Sequence, residues 1–198
     1  MVAILNPDIL PDVRMSIDEY LSADLPEGHR YELVGGVVMM APIPDPPHDL
    51  VVAALDAHFV LYRARRPGVI GHISQRFGVV IGNRGTVREP DLGLYPPDSS
   101  PGRAGFTWRT ATPMLVVEVV SPGQETRDYD DKRRDYWEAG VGEYWIADPQ
   151  RKTLTMLTRG RLDWAEQTLG VGETCRPAAL PGLDISVAEL FQDDNAGR

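Results

Sequence analysis

Met114-Leu115-Val116-Val117-Glu118-Val119-Val120 reads as a β-strand, almost continuously apolar and β-branched, stopped by Ser121-Pro122-Gly123. A run of this kind belongs in the middle of a sheet with both faces covered. Glu118 is the residue that does not suit that position. An unpaired carboxylate there would cost on the order of several kcal/mol, so a cation or a hydrogen-bond donor must face it. A buried salt bridge or a strand end reaching water meets that requirement, and so does a metal site.

The flanking sequence supplies the layers around this strand. Downstream, residues 126–139 read as a helix ended by Gly140, and residues 143–148 as a further strand. After Asp148-Pro149, residues 153–158 and 162–168 form an expected antiparallel pair, and a short helix lies near residues 187–191. Upstream, residues 86–95 read as one strand carrying Glu89-Pro90-Asp91, preceded by strands over 69–74 and 77–81. Residues 48–66 repeat apolar positions at spacings of three and four, the period of an amphipathic helix. The loop 41–47 holds four prolines and is expected to be extended. Gly35-Gly36 joins strands 31–34 and 37–40 into a hairpin, and Ser16 with Glu19 forms a capping-box pattern opening a first helix. This order predicts a mixed α/β fold, α+β in character: one central mixed sheet flanked by helices, with an added antiparallel hairpin. A single domain over 1–198 is expected, with flexible ends at 1–14 and 192–198.

Composition narrows the function classes. A single cysteine, Cys175, permits no internal disulfide and suggests no zinc site. The first residues lack the basic and apolar segments of a secretion signal, and the most apolar helix, residues 50–62, is interrupted by Asp56 and His58. A cytoplasmic protein with no membrane span is the expectation. The net charge of -9 opposes tight, indiscriminate binding to nucleic acid. A carboxylate-rich metal site would contribute to that charge and be neutralised locally by its cation.

Three segments share one chemistry. Asp91 and Glu118 are hard oxygen donors suited to Mg²⁺ or Mn²⁺. The helix after Glu118 carries Asp128, Asp130, Asp131, Lys132, Arg133, Arg134 and Asp135. A solvated face with an Asp128–Lys132 surface pair is its ordinary reading, and the one favoured for Arg133 and Asp135. Lys132 differs, because a helix folded back along its strand would carry it towards Glu118. Tyr136, one turn further on, suits either a core position or an orienting role. No histidine has zinc spacing, and His48 reads as a cap or loop residue. Gly82-Asn83-Arg84-Gly85 lacks the lysine and helix of a phosphate-cradling loop and reads as a hairpin turn.

Four separated runs, in order, resemble a known family: Tyr-Glu-Leu-Val-Gly-Gly at 31–36, Glu-Pro-Asp at 89–91, Val-Val-Glu-Val-Val-Ser-Pro at 116–122, and the long run from Asp130 through Trp145 to Pro149. They resemble the Uma-two family of restriction-endonuclease-like proteins, a branch of the PD-(D/E)xK nuclease superfamily. The resemblance spans roughly residues 16–168. It implies a restriction-endonuclease-like fold and a Mg²⁺- or Mn²⁺-dependent endonuclease acting on DNA. By motif, Asp91 is the first acid and Glu118 the second, with Glu32 an additional metal-site candidate. The superfamily's lysine stands two residues after the second acid, where this chain has Val120, and Lys132 is the family's replacement on the following helix. Asp91, Glu118, Lys132 and Glu32 are thus the expected catalytic set, and Asp91, Glu118 and Glu32 the expected metal ligands. A homodimer would suit cleavage of both DNA strands. The alternative is a catalytically inactive binding or interaction protein that keeps the nuclease fold, which the acidic charge also fits.

Overall fold

The fold is described by a computed structural model over residues 13–41, 44–75, 77–99 and 101–191. Helix α1 (Ile17–Ser22) opens with the expected capping box: the Ser16 hydroxyl accepts from the Glu19 backbone, and the Glu19 carboxylate accepts from the Ser16 N–H. Strands β1 (Arg30–Val34) and β2 (Val37–Ala41) form the expected hairpin, with Gly35 and Gly36 at φ of 58° and 79°. Two consecutive positive φ values are what a two-residue hairpin turn requires, and glycine adopts them without strain. Val13 and Arg14 are tied to β2, since Val38 donates to the Val13 carbonyl and Arg14 bridges to Val37. The remaining expected flexible segments, 1–12 and 192–198, lie outside the described residues.

The proline-rich stretch before the long helix departs from expectation. Pro46 and Pro47 lie inside the first turn of α2 (Pro46–Arg65), with Asp45 as its cap, accepting from the His48 N–H at 3.0 Å. Proline suits that place because the first-turn N–H groups have no helical partner. Beyond α2 come β3 (His72–Ser74), β4 (Val79–Ile81), a 3₁₀ turn (Gly82–Arg84), β5 (Thr86–Arg88) and β6 (Leu92–Tyr95). Residues 86–95 are therefore not one strand. Pro90 lacks a donor for the ladder and restricts Glu89, so the chain leaves one sheet at Arg88 and enters another at Leu92. The Glu-Pro-Asp motif is this crossing.

The expected central mixed sheet is present, and the expected hairpin β1–β2 belongs to a second, separate sheet. A four-stranded antiparallel sheet has the order β2-β1-β5-β4. The larger sheet has six strands in the order β10-β9-β8-β7-β6-β3, comprising β7 (Leu115–Val119), β8 (Glu143–Asp148), β9 (Thr153–Arg159) and β10 (Trp164–Gly170). Its β7–β8 pair is parallel and the other pairs antiparallel, so this sheet is mixed as expected. A small pair, β11 (Thr174–Cys175) with β12 (Ile185–Ser186), and helix α4 (Val187–Leu190) are the last elements of the described residues.

The crossover between β7 and β8 carries the other departure. Residues 127–138 form not one regular helix but a π-helical stretch (Arg127–Asp131) running into α3 (Lys132–Glu138). π-turns are rare and concentrate at functional sites. The two faces of β7 are covered differently. Leu115, Val117 and Val119 join Val51, Leu55 and Phe59 of α2 in the main core, while Val116 and Val120 pack with Tyr136, Tyr144 and Ile146 on the α3 side. Glu118 shares the second face by the two-residue strand period. Among the described residues, no helix is long and apolar enough to cross a membrane.

Candidate active site

One cavity lies at the carboxyl end of β7, where the sheet-to-sheet crossing, the first turn of α2 and the π-turn converge. Arg30, Glu32, His48, Asp91, Glu118, Arg127, Asp128 and Lys132 all face it. Three of the four expected site residues meet closely. Lys132 Nζ stands 2.7 Å from Glu118 and 3.1 Å from Asp128 Oδ1. Asp91 Oδ2 accepts from the Val119 backbone N–H at 2.8 Å, which ties the first acid to the strand of the second. Glu118 also accepts from the Tyr136 hydroxyl. Tyr136 is thus a core aromatic whose polar tip holds the acid, and the lysine contacts that acid directly.

Glu32 sits in a different setting. Its Oε2 contacts Arg127 at 2.7 Å and Arg88 at 2.8 Å, and Lys132 is 3.9 Å from Oε1. The register that sets Leu33 opposite Val87 explains the arginine, because it places Glu32 beside Arg88 across the strand pair. Arg88 reaches on to Asp135 at 2.7 Å, so it bridges the second sheet to α3.

Several residues given ordinary readings belong to this network. His48 is buried and its Nε2 lies 3.1 Å from Asp91 Oδ2, so it is more than a cap or loop residue. Asp128 and Asp135 are buried, not members of a solvated face, the first against Lys132 and the second against Arg88. Arg133, pairing with Glu166, and Arg134, pairing with Asp131, do keep to the surface. Arg30, adjacent to Glu32 on the same strand face, had a period-two signal that could have found it. It contacts Asp91 Oδ1 at 2.6 Å and donates to the Glu89 carbonyl at 2.8 Å.

Burial and charge pull the carboxyl groups apart in acidity. Burial pushes Asp91 up, but the His48 hydrogen bond and the neighbouring Arg30 outweigh it and hold the group well below the usual range. Glu32 is likewise buried, yet Lys132, Arg127 and Arg88 bring it down to about 2. Glu118 moves the other way: burial, against the opposing charge of Lys132, pushes it up to about 7. Asp128 is raised by burial also. Lys132 would be lowered by its burial, but Glu118 and Asp128 keep it charged. Acids driven in opposite directions within one cavity occur both in functional sites and in structural ion-pair networks.

The donor chemistry suits a hard dication, since Asp91, Glu118 and Asp128 present carboxylate oxygens to one space. These oxygens are already engaged by cations of the protein. Among the described residues, no three His, Cys, Asp or Glu side chains stand ready around a shared ion position.

A two-sheet α/β core with paired acids and a lysine at the end of a central strand defines the class as a restriction-endonuclease-like protein. The chain belongs to the Uma2 family, described as "Putative restriction endonuclease", whose match covers residues 17–188. No curated protein matches it. Among solved structures, it is similar to a protein of Anabaena variabilis ATCC 29413 titled a putative nuclease belonging to DUF820, with a TM-score of 0.74 at 17% identity. That similarity covers 89% of this chain and 97% of the other, and at such identity it speaks for the fold.

Proposed function

We propose that this protein is a metal-dependent endonuclease that hydrolyses phosphodiester bonds of DNA in the cytoplasm. The observation carrying this reading is the convergence of Asp91, Glu118 and Lys132, from three separate segments, on one cavity. Asp91 and Glu118 would hold Mg²⁺ or Mn²⁺. When bound, the ion supplies positive charge to the phosphate and acidifies a water.

The chain's own groups do the rest. Lys132, a compact ammonium held by Glu118 and Asp128, offers a proton donor and a positive charge to the reacting phosphate. The Val119 N–H fixes the Asp91 carboxylate, and the Tyr136 hydroxyl fixes Glu118. Glu32, the third expected ligand, serves better as the anchor of Arg127 and Lys132, since three cations already surround it. Arg127, at the cavity wall, would meet the DNA backbone.

The test is cleavage of supercoiled, linear and branched DNA with Mg²⁺, with Mn²⁺ and with a chelator. Metal-dependent cutting is expected, and its loss in Asp91→Ala and Glu118→Ala with the fold retained. Cutting undiminished in both variants removes the assignment. The pairing of each acid with a protein cation favours a second reading, a non-cleaving binding protein of the same fold, for which Mn²⁺ would leave the melting temperature unchanged. We also propose a homodimer, which light scattering at micromolar concentration tests.

A further inference from the structure

Asp91 faces the cavity with two differently employed oxygens. Oδ2 is fixed by the protein, accepting from the Val119 N–H at 2.8 Å and lying 3.1 Å from His48 Nε2. Oδ1 meets Arg30 Nη1 at 2.6 Å. The Arg30 side chain is the more exposed partner, at 15% against 4% for Asp91, so it stands towards the mouth. Its Nη2 is held by the Glu89 carbonyl at 2.8 Å, whereas its buried Nε has no hydrogen-bond partner among the described residues. Moving this guanidinium off Oδ1 gives up that one bond and leaves the Glu89 anchor in place.

We propose that Arg30 is the resident counter-ion of Asp91, occupying Oδ1 in place of a divalent cation, and that it sets the affinity of the site by competing with that cation. The inference rests on the metal-dependent reading above and extends it to a residue outside the acid–lysine set. Its physical basis is charge. A dication at Oδ1 must approach a guanidinium already 2.6 Å from that atom, and two cations on one oxygen repel strongly in a buried setting. Asp91 itself need not move, because Val119 and His48 hold it through the other oxygen. Lys132 is less suited to this part. Its side chain is only 6% exposed and it serves Glu118 and Asp128 together, so its displacement would strand two buried acids.

Calorimetric titration of Mn²⁺ into the parent protein and into Arg30→Met, Arg30→Gln and Arg30→Lys tests the proposal without recourse to activity. An arginine beside an aspartate changes the acid's proton affinity by one to three decades, so removing it should tighten Mn²⁺ binding by about tenfold or more. Arg30→Lys, which keeps the charge, should bind near the parent value. Should Arg30→Met lose its cooperative melting, Arg30→Gln carries the test, since its amide can still donate to the Glu89 carbonyl. Mn²⁺ binding to the parent with equal or weaker affinity in the neutral variants overturns the counter-ion role and leaves the metal reading standing. Absence of Mn²⁺ binding in parent and variants alike overturns the metal reading, and the counter-ion role with it.

Discussion

The two faces of β7 solve the same problem, burial in the middle of a sheet, by opposite means. On one face Leu115, Val117 and Val119 pack against α2 with Val51, Leu55 and Phe59, and the requirement is volume. On the other, Glu118 stands between Val116 and Val120, and each charge introduced there needs a partner. Lys132 meets Glu118 and Asp128, Arg127 and Arg88 meet Glu32, and Arg88 extends to Asp135. The apolar face accommodates shape-preserving substitutions at small cost, whereas removing one member of a charged pair leaves its partner buried without a counter-charge. The two faces therefore respond to substitution in different ways.

The largest expected effect comes from the shared cation. Lys132→Ala strands Glu118 and Asp128 and should cost about 3–5 kcal/mol in metal-free urea denaturation. Mn²⁺ should return part of this loss, because a dication can neutralise the same acids. Leu115→Ala on the opposite face should cost about 2–5 kcal/mol by leaving a cavity. Mn²⁺ should leave that loss unchanged. Equal recovery of both variants by Mn²⁺ would erase the distinction between the faces.

A pH series sharpens the same contrast. Glu32 is held down to about 2 in the folded protein, from 4.5 in its ordinary state, with its burial outweighed by Lys132, Arg127 and Arg88. Below its ordinary value the unfolded chain takes the proton first, so the stability this group contributes is present above about pH 4.5 and lost as pH falls towards 2. Urea midpoints should therefore drop steeply over that window in the parent. Glu32→Gln, less stable at neutral pH, should show a shallower drop. An unchanged slope in Glu32→Gln would assign the acid sensitivity to other carboxylates.

The sequence made some of this legible and concealed the rest for identifiable reasons. Glu118 announced itself because it violates an apolar run, and the Ser16 cap and Gly35-Gly36 turn because their chemistry is local. The passage of Glu89-Pro90-Asp91 from one sheet to the other was hidden, since alternation continues on both sides of Pro90. Arg88 and Asp135 could not be paired in advance, because their contact depends on how α3 docks on the smaller sheet. His48 was obscured by the prolines beside it, which mark the start of α2 as readily as a loop. Lys132 was legible both from a helix folded back along its strand and from the family resemblance, while Asp128, its i,i+4 partner, reads in sequence as a surface pair and is buried in the π-helical stretch.

A smaller effect is expected from the hydroxyl that holds Glu118. Tyr136→Phe keeps the aromatic body in its place against Tyr144 and removes only the donor to Glu118. Folding stability should fall by about 1–3 kcal/mol, the cost of leaving a buried acceptor short of a donor. Cleavage should fall by about tenfold, with the loss in kcat and not in DNA affinity, because the tyrosine positions an acid and is not placed to bind the substrate. Loss confined to DNA affinity would give Tyr136 a different role.

The smallest effect belongs to the same run of charges. Asp131 and Arg134 lie 3.1 Å apart, with side chains 52% and 56% exposed, within a residue or two of the buried Lys132. In composition the two pairs are alike, an acid and a base on one helical segment. Water already solvates Asp131 and Arg134, so their attraction adds little to what each had before pairing. Arg134→Ala should change stability by less than about 0.5 kcal/mol in urea denaturation, and raising the salt concentration should shrink even that difference. Lys132→Ala, two positions away, should keep its full cost in high salt, since its partners are shielded from the solvent ions. A loss in Arg134→Ala comparable to that in Lys132→Ala would mean that burial does not separate these charges, and the division of β7 into a packed face and a charged face would lose its basis on the helix side.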